Sequence, residues 1–443
     1  MEDGMQKRGF LVFFAVVYIL ISTSGICFAN TEVTGSGADV TDTGTVEDAG
    51  RGAASRVPAP DISAPSALLM EAETGQILYE KNTGIPLHIS AANKLMTVLV
   101  AVENGNLSSN VTVSSESVIT EGSTLNLVVG EKYLLNDLLH AVMLTSANDA
   151  AIAVAEHISS GDIGKFVDLM NKTAEKLGMD NTHFTNPTGL YDENQYTTAS
   201  DIAKLVRYAT GNPQFSNIFN AKVRLWSDKD KSRMLTSSND LFWEYDGILG
   251  GKTGYNTKEK QTVICTASRS NLRLISIVLD APDKTVFTDA SALFDYGFDN
   301  FRKSTLVSKN EVIKTVEWEG HEVRLISMND IMYVHPLGES YIKEFEANAD
   351  LSDPLKRTLP AGSATFILND GTKVVISLYP DSEIVPPEDM KTRIQKRIME
   401  NRDIFLIVAV LVAIEILLLI VNAGKLIAKF ISFIQRRDKK DSE

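Results

Sequence analysis

Four short segments hold the side chains with chemistry to offer. They are Ser90-Ala91-Ala92-Asn93-Lys94-Leu95-Met96-Thr97, Leu144-Thr145-Ser146-Ala147-Asn148-Asp149-Ala150, Phe184-Thr185-Asn186-Pro187-Thr188-Gly189-Leu190 and Gly251-Lys252-Thr253-Gly254. A serine hydroxyl is a poor nucleophile until an adjacent base takes its proton. A lysine one helical turn later lies on the same face of the helix. Desolvation and a nearby cation both lower a lysine's pKa, so such a lysine can serve as that base. Backbone N–H groups can then hold the oxyanion of a tetrahedral intermediate. This residue set suits nucleophilic acyl transfer. No His/Cys/Asp/Glu cluster has metal-ligand spacing, so no metal is expected.

Together the four segments resemble the low-molecular-mass penicillin-binding proteins, the serine-type D-alanyl-D-alanine carboxypeptidases of the peptidase S11 kind. The S-x-x-K, S-D-N and K-T-G signature belongs to that wider superfamily. The resemblance covers residues 66–390. It implies a β-lactamase/transpeptidase-like α/β (α+β) domain and a peptidoglycan stem peptide or a β-lactam as ligand, with no cofactor. It also assigns roles. Lys94 matches the general base, Ser146 the residue that relays a proton to the leaving amine, and Asn148 the residue that binds the peptide amide. Lys252, Thr253 and Gly254 match the motif that attracts the terminal carboxylate. The oxyanion N–H groups map to Ala91 and Tyr255. A class A β-lactamase shares the signature, but a C-terminal β-rich domain and anchor fit the carboxypeptidases better.

One position departs from the family. Its nucleophile stands three residues before the motif lysine, and that residue here is Ala91. An alanine has nothing to acylate. Ser90, four residues before Lys94, is on the same side of a helix but rotated about 100° and set back about 1.5 Å. Catalysis is sensitive to displacements of about 1 Å. Two functions therefore stay open: a carboxypeptidase with Ser90 as substitute nucleophile, and a degenerate, non-hydrolytic relative that binds peptidoglycan or a partner. Ser90 also reads as an N-cap or first-turn serine. Two smaller departures follow. Three extra residues separate Asp246-Gly247 from Lys252, for which a wider turn is expected. An arginine common near the closing Phe-x-Asp-Ala segment is absent, and Lys284 or Arg273 would replace it only by pointing inward.

The elements that must position these residues follow from pattern. Ala67 to Glu80 reads as a hairpin around Glu73-Thr74-Gly75. Helical periodicity covers Ala92–Glu103, Leu135–Leu144, Asp149–His157, Ile163–Leu177 and Thr198–Tyr208. Strand candidates are Asn110–Val113, Leu125–Val128, His183–Thr185, Thr262–Ala267 and Leu272–Leu279, and a helix around Lys284–Tyr296 closes the domain. Strands at both ends with helices between predict one sheet with helices packed around it, over residues 66–300. Short β-prone runs over residues 305–390 predict a small β-rich domain.

The ends differ from the middle. Lys7 and Arg8, an apolar run and small residues ending at Ala29 read as a secretory signal peptide, residues 1–29. Residues 30–65, rich in Thr, Gly, Asp, Ser and Ala, read as a flexible linker. The run Ile404–Val421 contains one ionisable residue, Glu415, and residues 404–424 are expected to form a transmembrane helix. An exported middle leaves a basic cytoplasmic tail over residues 425–443. The expected location is a cell membrane, single pass, with the main domains extracellular. The 443-residue chain carries 43 Lys+Arg against 57 Asp+Glu, a net charge of -14. That balance lacks the basic footprint of a nucleic-acid binder. The two cysteines are Cys27 and Cys265, so no disulfide framework is expected.

Overall fold

The computed structural model describes residues 46–47, 58–228, 231–257, 260–282, 285–338, 342–351, 355–368, 372–383 and 390–440. The signal-peptide assignment, most of the linker and Lys284 lie outside them.

Residues 58–300 build a layered α/β unit. Its elements are β1 (Ser66–Glu71), β2 (Ile77–Lys81), α1 (Ser90–Asn104), α2 (Leu135–Thr145), α3 (Asn148–Ile158), α4 (Ile163–Lys176), α5 (Ala199–Thr210), β3 (Ile248–Thr257), β4 (Lys260–Arg269), β5 (Leu272–Pro282) and α6 (Val286–Asn300). The sheet order is β2-β1-β5-β4-β3, all antiparallel. The two chain ends of the unit thus meet at its centre, where β1 pairs with β5. Alternation along each strand sorts the core into two layers. Leu68, Met70, Ile264, Ile275, Ile277 and Leu279 face α1 and its neighbours. Ala67, Leu69, Val263, Cys265, Leu274 and Val278 face α6. Both faces are covered, so these strands read as near-continuous apolar runs.

Residues 62–64, inside the span expected to be linker, are anchored to the fold. Ile62 and Ala64 are buried with the α6 layer, and the Ser63 and Ala64 amides donate to the Asp289 carboxylate at 3.1 and 2.8 Å. Small residues around them hide this anchoring from a composition count. Further upstream, Val46–Glu47 pairs with Val374 and Lys373. Leu125–Val128 is not a strand. The Leu125 and Leu127 amides donate to the buried Asp149 carboxylate instead of to a neighbouring strand. His183 makes only an isolated bridge to Tyr196.

The C-terminal part is β-rich: β6 (Phe301–Val307), β7 (Val312–Trp318), β8 (His321–Ile326), β9 (Ile331–Pro336), β10 (Ile342–Ala349), β11 (Gly362–Leu368) and β12 (Lys373–Pro380). The order β7-β8-β12-β11-β10 forms one sheet, and β6 pairs with β9. Polar contacts tie it to the hairpin turn of the first unit. Lys303 Nζ meets Glu71 at 3.4 Å and Glu73 at 2.7 Å, while Gln76 exchanges hydrogen bonds with the Val334 backbone at 2.8 and 3.1 Å. Two helices follow, α7 (Met390–Glu400) and α8 (Arg402–Lys440). Among the described residues, α8 is the one helix long and apolar enough to cross a membrane. It continues without a break past residue 424, so the basic segment up to Lys440 is helical.

Candidate active site

Helix α1 carries the first segment into the interior. Every residue from Ala91 to Val102 is buried, as expected of a helix that is apolar all round. Lys94 is drawn in with this run and stays 5% exposed. Burial pushes its pKa down to about 8. Its Nζ donates to the Thr188 carbonyl. Asn93 and Thr97 on the same helix donate to the carbonyls of Asn186 at 2.7 Å and Pro187 at 2.8 Å. The Asn186–Leu190 turn is therefore a clamp on α1, which accounts for the third segment. Gly189 in that turn has φ +75, and a Cβ there would stand 2.6 Å from Ser90 Cα. Only glycine permits both the conformation and the approach.

Ser90 is the first residue of α1. Ile89 holds the cap position without a side-chain cap bond, so Ser90 is a first-turn serine and not an N-cap. On its other side runs β3. A Cβ placed on Gly254 would lie 3.1 Å from Ala91 Cβ, 3.2 Å from Ser90 Oγ and 3.3 Å from the Ala91 nitrogen. The Ala91 methyl and the Ser90 hydroxyl thus both border the space that Gly254 leaves open. Among the described residues, Ser90 Oγ has no hydrogen-bond partner.

Lys252 reaches the same region from β3. It is 1% exposed and donates to Ser146 Oγ at 2.5 Å and to Thr253 O at 2.8 Å. Burial, reinforced by the charge of Lys94, pushes its pKa down to about 7. Ser146 sits at the end of α2 with φ +56, a left-handed conformation that turns the chain sharply into α3. Asn148 opens α3. Its Nδ2 donates to the Glu121 carbonyl at 2.7 Å, while its buried Oδ1 has no partner. A buried acceptor left unpaired is costly. Tyr255 is 64% exposed at the rim.

The structure thus brings Lys94, Ser146, Lys252, Ser90 and Ala91 into one locality, flanked by Asn148 and Thr253. It differs from expectation at one point. The extra residues before Lys252 form no wider turn: they lie within β3, across a bulge between Ile248 and Gly250. Gly250 and Gly251 are needed there because a Cβ would strike Asn220 and Asn239 at 2.3 and 2.4 Å. Arg273 is exposed and pairs with Ser268, at the far end of β4 from Thr262, which pairs with Gly254. It does not replace the missing arginine. One residue escaped the sequence reading. Ser238 Oγ lies 2.5 Å from Thr253 Oγ1, on a loop fixed by buried Asn239, which bonds Cys265 Sγ at 3.1 Å and the Leu241 amide at 3.2 Å. No motif marks Ser238. Only the tertiary fold of its loop places it beside Thr253.

Comparison with known proteins agrees with this geometry. The profile of the D-alanyl-D-alanine carboxypeptidase family matches residues 53–283. The D-alanyl-D-alanine carboxypeptidase DacF of Bacillus subtilis is 30% identical over 344 residues, covering 74% of this chain and 86% of the relative. The solved penicillin-binding protein 5 of Haemophilus influenzae superposes with a TM-score of 0.67 at 26% identity, over 74% of this chain and 99% of that one. A peptidoglycan synthesis regulatory factor (PBP3) from Streptococcus pneumoniae gives 0.59 at 25% identity, over 73% and 100%. A buried lysine pair, a serine turn and a lysine-bearing edge strand, on a chain matched along most of its folded length, make this protein a member of the D-alanyl-D-alanine carboxypeptidase family.

Proposed function

We propose that the cleft binds peptidoglycan stem peptides ending in D-alanyl-D-alanine and that Ala91 removes the ordinary acyl-enzyme step. The unpartnered Asn148 Oδ1 carries this reading. It is an acceptor awaiting an N–H donor, and a peptide amide supplies one. Lys252, with no carboxylate beside it among the described residues, suits the peptide's terminal carboxylate. Lys94, partly neutral near pH 8, would be a competent base, but position 91 offers it no hydroxyl. By the family mapping, the Ala91 and Tyr255 amides would polarise the bound carbonyl.

A second reading makes the protein an active carboxypeptidase through Ser90, whose unpaired hydroxyl borders the same space as Ala91 Cβ. Ser90 Oγ would attack the penultimate carbonyl and release D-alanine. Its proton would pass through Lys94 and Ser146 to the leaving amine, and water would then hydrolyse the ester. One experiment separates the two. The chain is incubated with penicillin and weighed by mass spectrometry, and D-alanine release and binding are measured with a stem pentapeptide. Peptide binding with no adduct and no release supports the binding role. An adduct that disappears in Ser90→Ala overturns it.

The layout supports a surface location. Residues 1–29 act as the export signal, residues 66–300 hold the cleft, residues 305–390 form the β-rich unit, and residues 404–424 of α8 cross the membrane. The main domains then stand outside the cell and the basic tail inside. Flotation of the full chain with lipid vesicles after alkaline carbonate washing tests the span.

A further inference from the structure

Helix α8 contains two polar side chains that the membrane reading leaves unexplained. This argument rests on that reading. Over residues 404–424, Glu415 lies about 16 Å from one end and about 14 Å from the other at 1.5 Å per residue. It is therefore near the bilayer midplane, where a carboxyl is most costly. A glutamate stem is too short to reach either interface from there. Glu415 is exposed, and among the described residues it makes no hydrogen bond or ion pair. The helix packs none of its apolar window inside the protein. Asn422 follows seven residues later. Seven steps of 100° bring it within about 20° of Glu415 on the helix surface, two turns further along. Val408 precedes Glu415 by the same interval, with Leu411 between those two and Leu418 between Glu415 and Asn422. This is the heptad spacing of a helix–helix seam, with polar groups at two successive equivalent positions.

We propose that α8 pairs in parallel with a second copy of itself, so that Glu415 meets Glu415 and Asn422 meets Asn422 within the membrane. The chemistry is self-complementary. A protonated carboxyl has one donor and one acceptor, and a carboxamide has both, so each can bond its own kind. A parallel copy places the same two groups at the same depths without any further matching. Apolar packing alone gives little preference in lipid, whereas interhelical hydrogen bonds fix partner and register. The consequence is a dimer joined in the membrane, presenting two clefts.

The test uses the mature full chain, labelled with donor and acceptor dyes through Asp438→Cys and reconstituted in phosphatidylcholine/phosphatidylglycerol vesicles over a range of protein-to-lipid ratios. Energy transfer should persist on dilution for the parent. It should require at least about tenfold more protein in Glu415→Leu, and less extra protein in Asn422→Leu. Glu415→Gln keeps a donor and an acceptor and should behave as the parent. Glu400→Gln, outside the span, serves as control. A parent chain that is monomeric at every ratio overturns the proposal, including the case where a different helix is the partner. Equal transfer in Glu415→Leu overturns it as well. The leucine variants should float with vesicles at least as well as the parent. A parent that fails to float refutes the membrane reading instead.

Discussion

The two walls of the cleft have fared differently. On one wall, α1 supplies a buried lysine but no hydroxyl where the family keeps its nucleophile. On the other, β3 and the α2–α3 turn keep a cation, a serine, an amide acceptor and the glycine that lets α1 approach. The contrast separates recognition from bond breaking. In the proposed reading Lys252, Thr253 and Asn148 would hold a ligand's carboxylate and amide, and none of them depends on residue 91. Only the covalent step does. A site that keeps two buried ammonium groups bears a standing desolvation cost, and ligand binding is a reason for that cost even without turnover.

The largest effect should come from repairing the weaker wall. In Ala91→Ser a hydroxyl enters three residues before Lys94, facing the gap at Gly254. Removing such a nucleophile from a working triad typically costs on the order of 10⁶-fold in rate, so even a poorly placed one should raise acylation about 1,000-fold or more. Penicillin adduct formed by Ala91→Ser and absent from the parent is the expected mass spectrum. No adduct in the variant would mean that the wall lacks more than a hydroxyl.

Lys252 tests the stronger wall. Lys252→Ala removes charge-assisted hydrogen bonds worth about 1.5–3 kcal/mol, so pentapeptide affinity should fall about 10- to 100-fold by calorimetry. Stability and binding should show opposed pH dependences. Lys252 titrates at about 7 and Lys94 at about 8 in the folded chain, against 10.5 without the shift. Below pH 7 folded and unfolded states are both protonated, and the folded state bears the full cost of two buried charges. Between pH 7 and 10.5 the unfolded chain holds more protons, so stability should rise with pH. Peptide binding needs the Lys252 ammonium, so affinity should fall as pH rises above 7, by up to about tenfold per unit. Affinity that stays level from pH 6.5 to 8.5 would remove Lys252 from carboxylate binding.

The line between what pattern reveals and what it conceals runs through the same residues. Helix α1 was legible from the helical periodicity of Ala92–Glu103, and the apolar residues around Lys94 carry it into the interior. The hairpin and strands β4 and β5 were legible from β-prone apolar runs bounded by turn residues. Leu125–Val128 misled because its amides serve a distant carboxylate, Asp149, and local sequence does not say where a backbone donor will go. The insertion before Lys252 misled because glycines signal turns, while here they admit Phe219, Asn220 and Asn239 against a strand. Ile62 and Ala64 were hidden among small polar residues. In each case the deciding contact is long-range.

Gly189 tests the first wall alone, because its turn clamps α1 and leans on that helix's first residue, Ser90. Gly189→Ala demands φ near +75 of an alanine and sets its methyl 2.6 Å from Ser90 Cα. A strain of about 1–3 kcal/mol is expected, seen as a lower melting temperature. Peptide affinity should fall less than in Lys252→Ala, since β3 is untouched. An unchanged melting temperature would show that the clamp yields.

The smallest effect sharpens the comparison most finely, because it asks whether the recognition wall extends beyond the family's motif. Ser238 and Thr253 share one hydrogen between their oxygens at 2.5 Å, which leaves the other hydroxyl hydrogen free to donate. A hydroxyl that already accepts a bond is a better donor. This pair lies beside Lys252 with no arginine among the described residues to do the same work. Ser238→Ala should therefore weaken binding of a peptide carboxylate about fivefold, near 1 kcal/mol. It should leave binding of the same peptide as a terminal carboxamide unchanged, and Ser238→Thr should restore the carboxylate preference. Equal losses for both peptides would reduce Ser238 to a support for the loop that carries Asn239.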